Sequence, residues 1–302
     1  MPTVTDDGVL VRARAAGVNA LDWHVVRGEP FAVRLGGLGF RRPKDLVAGR
    51  DVAGVVEAVG RDVSRLRPGD EVFGWCGGAF AEYAHAPQDQ FVPKPAGISF
   101  EQAAAVPVAA FTALQAVRDH GRLQAGQKVL ITGGSGGVGT FAVQLARSFG
   151  AEVTAVCSTR NVDLVRSIGA DHVIDYTRDD FTRGGARYDL IIDIAGNPPL
   201  SACRRSLTRD GALVLLSGEG GRLFGPLLRI ARGAVLGRVW RQRVTFFEAK
   251  ERREDALTLC ELLTSGQLIA VIDRTYALAA AADAVAYLDA GHTRGKVVIT
   301  VS

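Results

Sequence analysis

Apolar positions change their period part-way along the chain. Over residues 9–16 they settle into alternation with Arg12 and Arg14, the period-2 signature of a half-exposed strand. Val52–Val59, Glu71–Trp75 and Phe80–Ala84 are further short β segments. Gly, Pro and Asp punctuate them, notably at Pro68-Gly69-Asp70. Gly17–His24 between them reads as a turn bearing polar groups. The chain up to about residue 90 therefore predicts a small antiparallel β domain. Ser99 then opens a helix, with Gln102 completing a capping box, and the alanine-rich run 103–117 continues it past an interruption at Pro107. From Val129 onward strands at 129–133, 152–157, 172–175, 189–194 and 212–217 alternate with helices at 137–149, 161–168 and 199–208. That rhythm predicts an α/β fold with a parallel, doubly wound sheet and right-handed crossovers. Val244–Phe247, Ile269–Tyr276 and Lys296–Val301 complete the strands, and 251–265 forms one more helix.

The transition into the α/β part is the most informative stretch. The β-branched run from Val129 enters Gly133-Gly134-Ser135-Gly136-Gly137-Val138-Gly139. Beyond it Val138, Phe141, Ala142, Leu145, Ala146 and Phe149 recur at the spacing of a helix with one buried face. Gly134, Gly136 and Gly139 supply G-x-G-x-x-G between strand and helix. The three glycines serve a tight turn, backbone approach to a pyrophosphate, and close packing of helix on strand. The free N–H groups and positive end of the helix then face the phosphates. The alternative is a glycine-rich turn that binds nothing.

Composition narrows this picture. The 302 residues are long enough for two domains, and 47% are apolar, which marks a globular chain. A net charge of +4 suits an anionic cofactor without requiring nucleic acid. The arginines are scattered except in 222–243, which carries Arg222, Arg229, Arg232, Arg238, Arg241 and Arg243. Such a stretch is either a basic amphipathic helix on a membrane surface or a surface helix beside a cleft, and the second is expected. Cys76, Cys157, Cys203 and Cys260 show no C-x-x-C pairing, which argues for a reducing compartment, the cytoplasm. No charged-then-apolar leader and no uncharged apolar run of about 18 residues is present, so no membrane span is expected.

Six segments together resemble the medium-chain dehydrogenase/reductase superfamily, and its zinc-independent quinone oxidoreductase branch in particular. They are Ala15–Trp23, Gly49–Val56, Gly69–Gly74, Ala81–Tyr83, the Gly133–Gly139 loop and Gly295–Val298, in family order over almost the whole chain. The resemblance implies a GroES-like β domain built from both chain ends (1–111 and 248–302) with an inserted Rossmann domain (112–247). Members usually carry a further strand region before the segment matching Val9–Ala16. Here Met1–Gly8 precedes it, so a catalytic domain short of edge strands, or an internal start, is expected. Zinc-dependent relatives place Cys where this chain has Asn19 and His where it has Arg50. Their four-cysteine lobe is reduced to Cys76 between residues 61 and 100. His24, His85, His120, His172 and His292 show no ligand spacing, so no metal is expected.

The cofactor follows from charge. NAD-binding Rossmann folds end the second strand on Asp or Glu, which accepts from the ribose 2′-OH. Here that strand runs through Cys157 into Ser158-Thr159-Arg160-Asn161 with no acid. Ser158 and Asn161 donate hydrogen bonds and Arg160 pairs with a 2′-phosphate, which indicates NADPH. The resemblance adds Tyr176 near that phosphate, Thr112 beside the nicotinamide, Ala195 and Gly196, and Ser217 and Gly218, with Phe246 or Phe247 lining the nicotinamide side. Gly134, Ser135, Gly136, Gly137, Val138 and Gly139 form the pyrophosphate loop. In the expected catalytic group Asn19 donates its amide to the substrate oxygen, Asp22 orients the loop, Trp23 walls the pocket and Tyr83 is the candidate proton donor. The expected reaction is hydride transfer to a quinone or enone by a homodimer paired through Val244–Phe247. An alcohol dehydrogenase and an NADPH-binding module without turnover are the alternatives.

Overall fold

The computed structural model describes residues 2–28, 47–216, 227–291 and 293–302. They fall into two compact units. One takes 2–28, 47–111 and 250–302, and the other 112–216 and 227–249. Ser217, Gly218, Arg222 and His292 lie outside the described residues.

The first unit is built on β1 (Gly8–Val18), which buries every residue except Arg12 and Arg14. The sheet runs β12-β13-β1-β2-β3-β5, with β4 also paired to β1. Its other strands are β2 (Asp51–Val59), β3 (Glu71–Trp75), β4 (Tyr83–Pro87), β5 (Phe91–Pro93), β12 (Ile272–Ala277) and β13 (Lys296–Thr300). All pairings are antiparallel except β12 with β13. Val11, Val52, Val72, Phe91, Val297 and Ile299 meet in its core. Three sequence readings are corrected here. Gly17–His24 is not a turn throughout. It leaves β1 and enters helix α1 (Ala20–Arg27), because Asn19 takes extended N-cap geometry and Asp22 at N3 accepts the Asn19 N–H at 2.8 Å. The segment expected at Phe80–Ala84 pairs as β4, three residues later. Helix α8 (Arg253–Thr264) falls within the expected 251–265, whereas helix α9 (Ala281–Asp289) and β5 were not anticipated.

Ser99 caps α2 (Phe100–Ala104) in a reciprocal box: the Gln102 N–H reaches Ser99 Oγ at 3.2 Å and the Ser99 N–H reaches Gln102 Oε1 at 2.9 Å. The helix breaks where expected and restarts as α3 (Pro107–Gln115), with proline at the helical position that needs no N–H donor. The unit boundary falls within α3, between Phe111 and Thr112.

The second unit is a six-stranded, wholly parallel sheet in the order β11-β10-β9-β6-β7-β8. The strands are β6 (Lys128–Thr132), β7 (Glu152–Cys157), β8 (His172–Asp175), β9 (Tyr188–Asp193), β10 (Leu207–Leu215) and β11 (Arg243–Phe246). Helices α4 (Gly137–Ser148), α5 (Val162–Ser167), α6 (Leu200–Ser206) and α7 (Leu227–Leu236) lie between them in the chain. Leu130, Ile131, Ile191, Ile192 and Leu213 are almost wholly buried, which is why these strands read as continuous apolar runs. The chain starts at β6, winds outward through β7 and β8, then returns to β9. The order therefore reverses between β6 and β9, the place where doubly wound sheets open a crevice for ligands. Strand β10 begins five residues before the expected 212, with a register shift between Leu207 and Ala212.

Candidate active site

The nucleotide loop is assembled from the end of β6. Gly133 has φ +68°, the left-handed region that favours glycine. A Cβ on Gly139 would lie 2.1 Å from the Gly133 carbonyl oxygen, so the first turn of α4 packs on the loop only because no side chain intervenes. A Cβ on Gly134 would come within 2.9 Å of Ala155 Cβ on β7. Gly136 differs: its φ is −82°, and a Cβ there would meet nothing closer than the Gly133 oxygen at 3.5 Å. The glycine is not needed for backbone conformation or for internal packing. It leaves a cradle open in front of the N-terminus of α4, where the first-turn N–H groups of Gly137, Val138 and Gly139 have no intrahelical acceptor.

The residues expected at the adenosine end come together around this loop. The buried Asn161 amide donates to Ser135 Oγ at 2.9 Å and to Ser158 Oγ at 3.2 Å, while its Oδ1 is buried without a donor. Such an open acceptor fits a ribose hydroxyl. Arg160 is exposed in the single 3-10 turn that follows β7, and no carboxylate ends that strand. The acid of this corner is Asp175, one strand over at the end of β8. It accepts from Thr159 Oγ1 at 2.5 Å and from Thr177 Oγ1 at 2.7 Å, contacts that hold its carboxyl below the ordinary value and pin the turn bearing Arg160. Tyr176, next along, is 63% exposed and bonds through its N–H to the Cys157 carbonyl, which brings it to the same strand end.

At the opposite side of the crevice, Ala195 and Gly196 follow β9. Asp193 is fully buried and accepts from Thr132 Oγ1 at 2.8 Å, the Gly196 N–H at 3.1 Å and Arg229 Nη2 at 2.6 Å. Thr132 Oγ1 in turn accepts the N–H groups of Ile194 and Ala195 at 3.0 and 3.1 Å. Sequence reasoning missed Asp193, Thr132 and Arg229. The described part of 222–243 is largely exposed, as expected of a surface helix, but Arg229 turns its side chain inward from α7. Thr112 is half-buried in α3. Phe247 stacks on His120 with centroids 3.9 Å apart, so it packs within its own unit, and Phe246 on β11 is exposed.

The expected catalytic residues sit in the first unit, and the structure separates them. Asn19 and Asp22 are buried beside Asp51 and Lys296. The Asn19 amide donates to Asp51 Oδ2 at 2.9 Å and lies 3.5 Å from the Gly17 carbonyl, and its oxygen accepts from Lys296 Nζ. Both amide hydrogens are directed into the protein. As placed, Asn19 joins helix α1 to a buried ion pair, and the donation to a substrate oxygen expected of it would require the amide to leave Asp51. Lys296 Nζ is 3.5 Å from Asp51 Oδ2, and Asp51 Oδ1 accepts the Val108 N–H at 3.0 Å. Burial pushes the Asp51 carboxyl up and the Lys296 amine down, and their mutual attraction opposes both shifts. Burial raises Asp22 to about 7. Tyr83 pairs with Arg12 on β1, seven residues from Asn19, or roughly 20 Å at about 3.3 Å per residue. The structure does not bring it to this cluster. Trp23 is half-buried against His24 and Arg27. Arg50, next to Asp51, is ion-paired with Glu251 at 2.5 Å. Among the described residues no three His, Cys, Asp or Glu side chains are grouped to hold a metal, and no helix is long and apolar enough to cross a membrane.

A GroES-like β unit and a six-stranded Rossmann sheet in one chain define a medium-chain dehydrogenase/reductase. Family models agree: residues 5–96 match the alcohol dehydrogenase GroES-like domain and 168–299 the zinc-binding dehydrogenase family. The chain is 32% identical over 314 residues to a chloroplastic quinone oxidoreductase from Triphysaria versicolor, covering 99% of this chain and 91% of the relative. It is 32% identical over 328 residues to a mitochondrial NAD(P)H oxidoreductase from Mus musculus, covering 97% and 81%. It superposes on the quinone oxidoreductase from Coxiella burnetii with a TM-score of 0.85 at 28% identity, covering 100% and 92%. The chain belongs to the quinone oxidoreductase-like branch of that superfamily and is an oxidoreductase.

Proposed function

We propose that this protein uses NADPH to reduce a quinone or another activated carbonyl or enone, without a catalytic metal. The observation that carries the reading is the cradle at Gly136, open to a pyrophosphate, together with Arg160 in place of a carboxylate in the turn after β7. When bound there, NADPH supplies the hydride. The loop and the first turn of α4 hold the pyrophosphate, Ser135, Ser158 and Asn161 hold the adenosine ribose, and Arg160 pairs with the 2′-phosphate. Ala195 and Gly196 present backbone to the nicotinamide half. A quinone spreads the incoming charge into its ring, so no strong general acid is needed.

Metal independence rests on the donor set. At the positions where zinc-dependent relatives have Cys and His, the Asn19 oxygen accepts from Lys296 and Arg50 carries a guanidinium paired with Glu251. A guanidinium has no lone pair to give a metal, and the Asn19 oxygen is already taken. The buried network instead fixes the start of α1, and Trp23 with it. The chain pairs as a homodimer by adding β11 to its copy across a two-fold axis, since that apolar strand lies at one edge of the sheet among the described residues. Its four cysteines are free thiols, which suits the cytoplasm. The test is NADPH oxidation over a panel of quinones, enones and alkenals in the presence of a chelator. Turnover with at least one class is expected. NADPH binding without turnover on any acceptor would overturn the proposal in favour of a binding module, and activity lost to the chelator and restored by zinc would overturn its metal-free part.

A further inference from the structure

We infer that Arg229 is a positioning residue for the nicotinamide half of the cofactor, acting through Asp193 on the Ile194–Gly196 turn; the inference rests on the NADPH reading above. Three consecutive backbone N–H groups leave β9, and all three are taken by two side chains. Thr132 Oγ1 accepts those of Ile194 and Ala195, and Asp193 Oδ1 accepts that of Gly196. Thr132 donates its own hydrogen to the same carboxylate oxygen. The turn is thus hung from the ends of β6 and β9, the two strands between which the sheet reverses direction.

Asp193 is completely buried, and a carboxylate there needs a counter-charge. Arg229 provides it from α7, 36 residues along the chain, with Nη2 at 2.6 Å from Oδ2. The pairing is poorly arranged for stability alone. A buried ion pair of this kind rarely outperforms an apolar replacement, and here Arg229 Nε is also buried with no acceptor. The nearby Cys203 thiol, pushed up to about 12 by burial and by the Asp193 charge, faces the same guanidinium as a neutral group. What the pair does accomplish is geometric. It fixes the carboxylate that fixes the turn, and Gly196 at φ +74° then lays bare backbone along the crevice. Removing the guanidinium frees the Asp193 carboxylate to rotate, and the turn loses its anchor. The adenosine end depends on the Gly133–Gly139 loop and the β7 turn and is untouched.

The test compares two probes on the full-length protein: NADP⁺, which reaches both ends of the site, and 2′,5′-ADP, which has no nicotinamide half. Arg229→Met is expected to weaken NADP⁺ about 10- to 100-fold, the scale of a displaced contact, and to leave 2′,5′-ADP affinity unchanged. Arg229→Lys keeps a cation beside Asp193 and is expected to weaken NADP⁺ less. It carries the test if Arg229→Met does not fold. Equal weakening of both probes would mean a structural role only, and unchanged NADP⁺ affinity would mean no role. Either result overturns the inference. A wild-type protein that binds neither probe would overturn the cofactor reading, and the inference with it.

Discussion

Gly136→Ala separates cofactor binding from folding. In the free protein the new methyl group sits 3.5 Å from its nearest neighbour, the Gly133 oxygen, at an ordinary φ of −82°. It strains nothing, and narrowing the unfolded chain's freedom, about 0.4–1 kcal/mol in favour, offsets the poorer N-cap that Ala makes for α4, so stability is expected to stay near wild type. The same methyl occupies the space through which a pyrophosphate would approach the loop backbone. Losing that approach is expected to weaken NADP⁺ at least tenfold, about 1.4 kcal/mol. Gly139→Ala is the contrast: its Cβ would stand 2.1 Å from a backbone oxygen, and a shift of the helix on the loop costs about 1–3 kcal/mol or more of stability. The assay is a thermal melt of each variant beside equilibrium titration with NADP⁺. The expected pattern is a Gly136→Ala protein that melts near wild type, well above Gly139→Ala, but binds poorly. If it binds NADP⁺ as tightly as wild type, the cradle is not where the phosphates lie and the site has been misread.

Three further outcomes are expected. Arg160→Asp removes a charge-assisted contact worth about 1.5–3 kcal/mol and adds a repulsive one, so kcat/KM for NADPH falls by roughly ten- to several-hundred-fold while NADH changes little; equal losses for both cofactors would make Arg160 structural. Lys296→Met leaves Asp51 buried without its cation and is expected to cost about 3–5 kcal/mol in denaturant unfolding, more than loss of any exposed lysine; a loss under 1 kcal/mol would show the pair contributes little. Asp22 is raised in the folded protein from 3.8 to about 7, so folding takes up a proton between those values. Its stabilising contribution is complete at low pH and is lost as pH rises to about 7, and Asp22→Asn is expected to flatten that part of the stability profile. A profile with the same slope in the variant would assign the titration elsewhere.

What was legible in the sequence is what is local in it. The strand, glycine loop and helix from Val129 to Phe149 announce themselves within about twenty residues, because turn chemistry and helical period are short-range properties. The same holds for the end of β7 and for the Ser99–Gln102 cap. The networks that give the polar residues their roles are not local. Lys296 meets Asn19 across 277 positions, Asn19 meets Asp51 across 32, and Arg229 meets Asp193 across 36. No pattern of hydrophobic spacing marks such pairs, so Asn19 read as a free donor and Arg229 as a surface charge. Helix α1 is short, and its cap residues Asn19 and Asp22 are also good turn residues, which made the local signal ambiguous.

Direct, metal-free hydride transfer from NADPH can be followed with NADPH carrying deuterium at the transferable position of nicotinamide C4 and an enone acceptor, in chelator, with the product examined by mass spectrometry. The expected result is a reduced product that carries the deuterium on carbon at full yield without metal. A reduced product free of deuterium, or a reaction that stops in chelator and resumes with zinc, would contradict it.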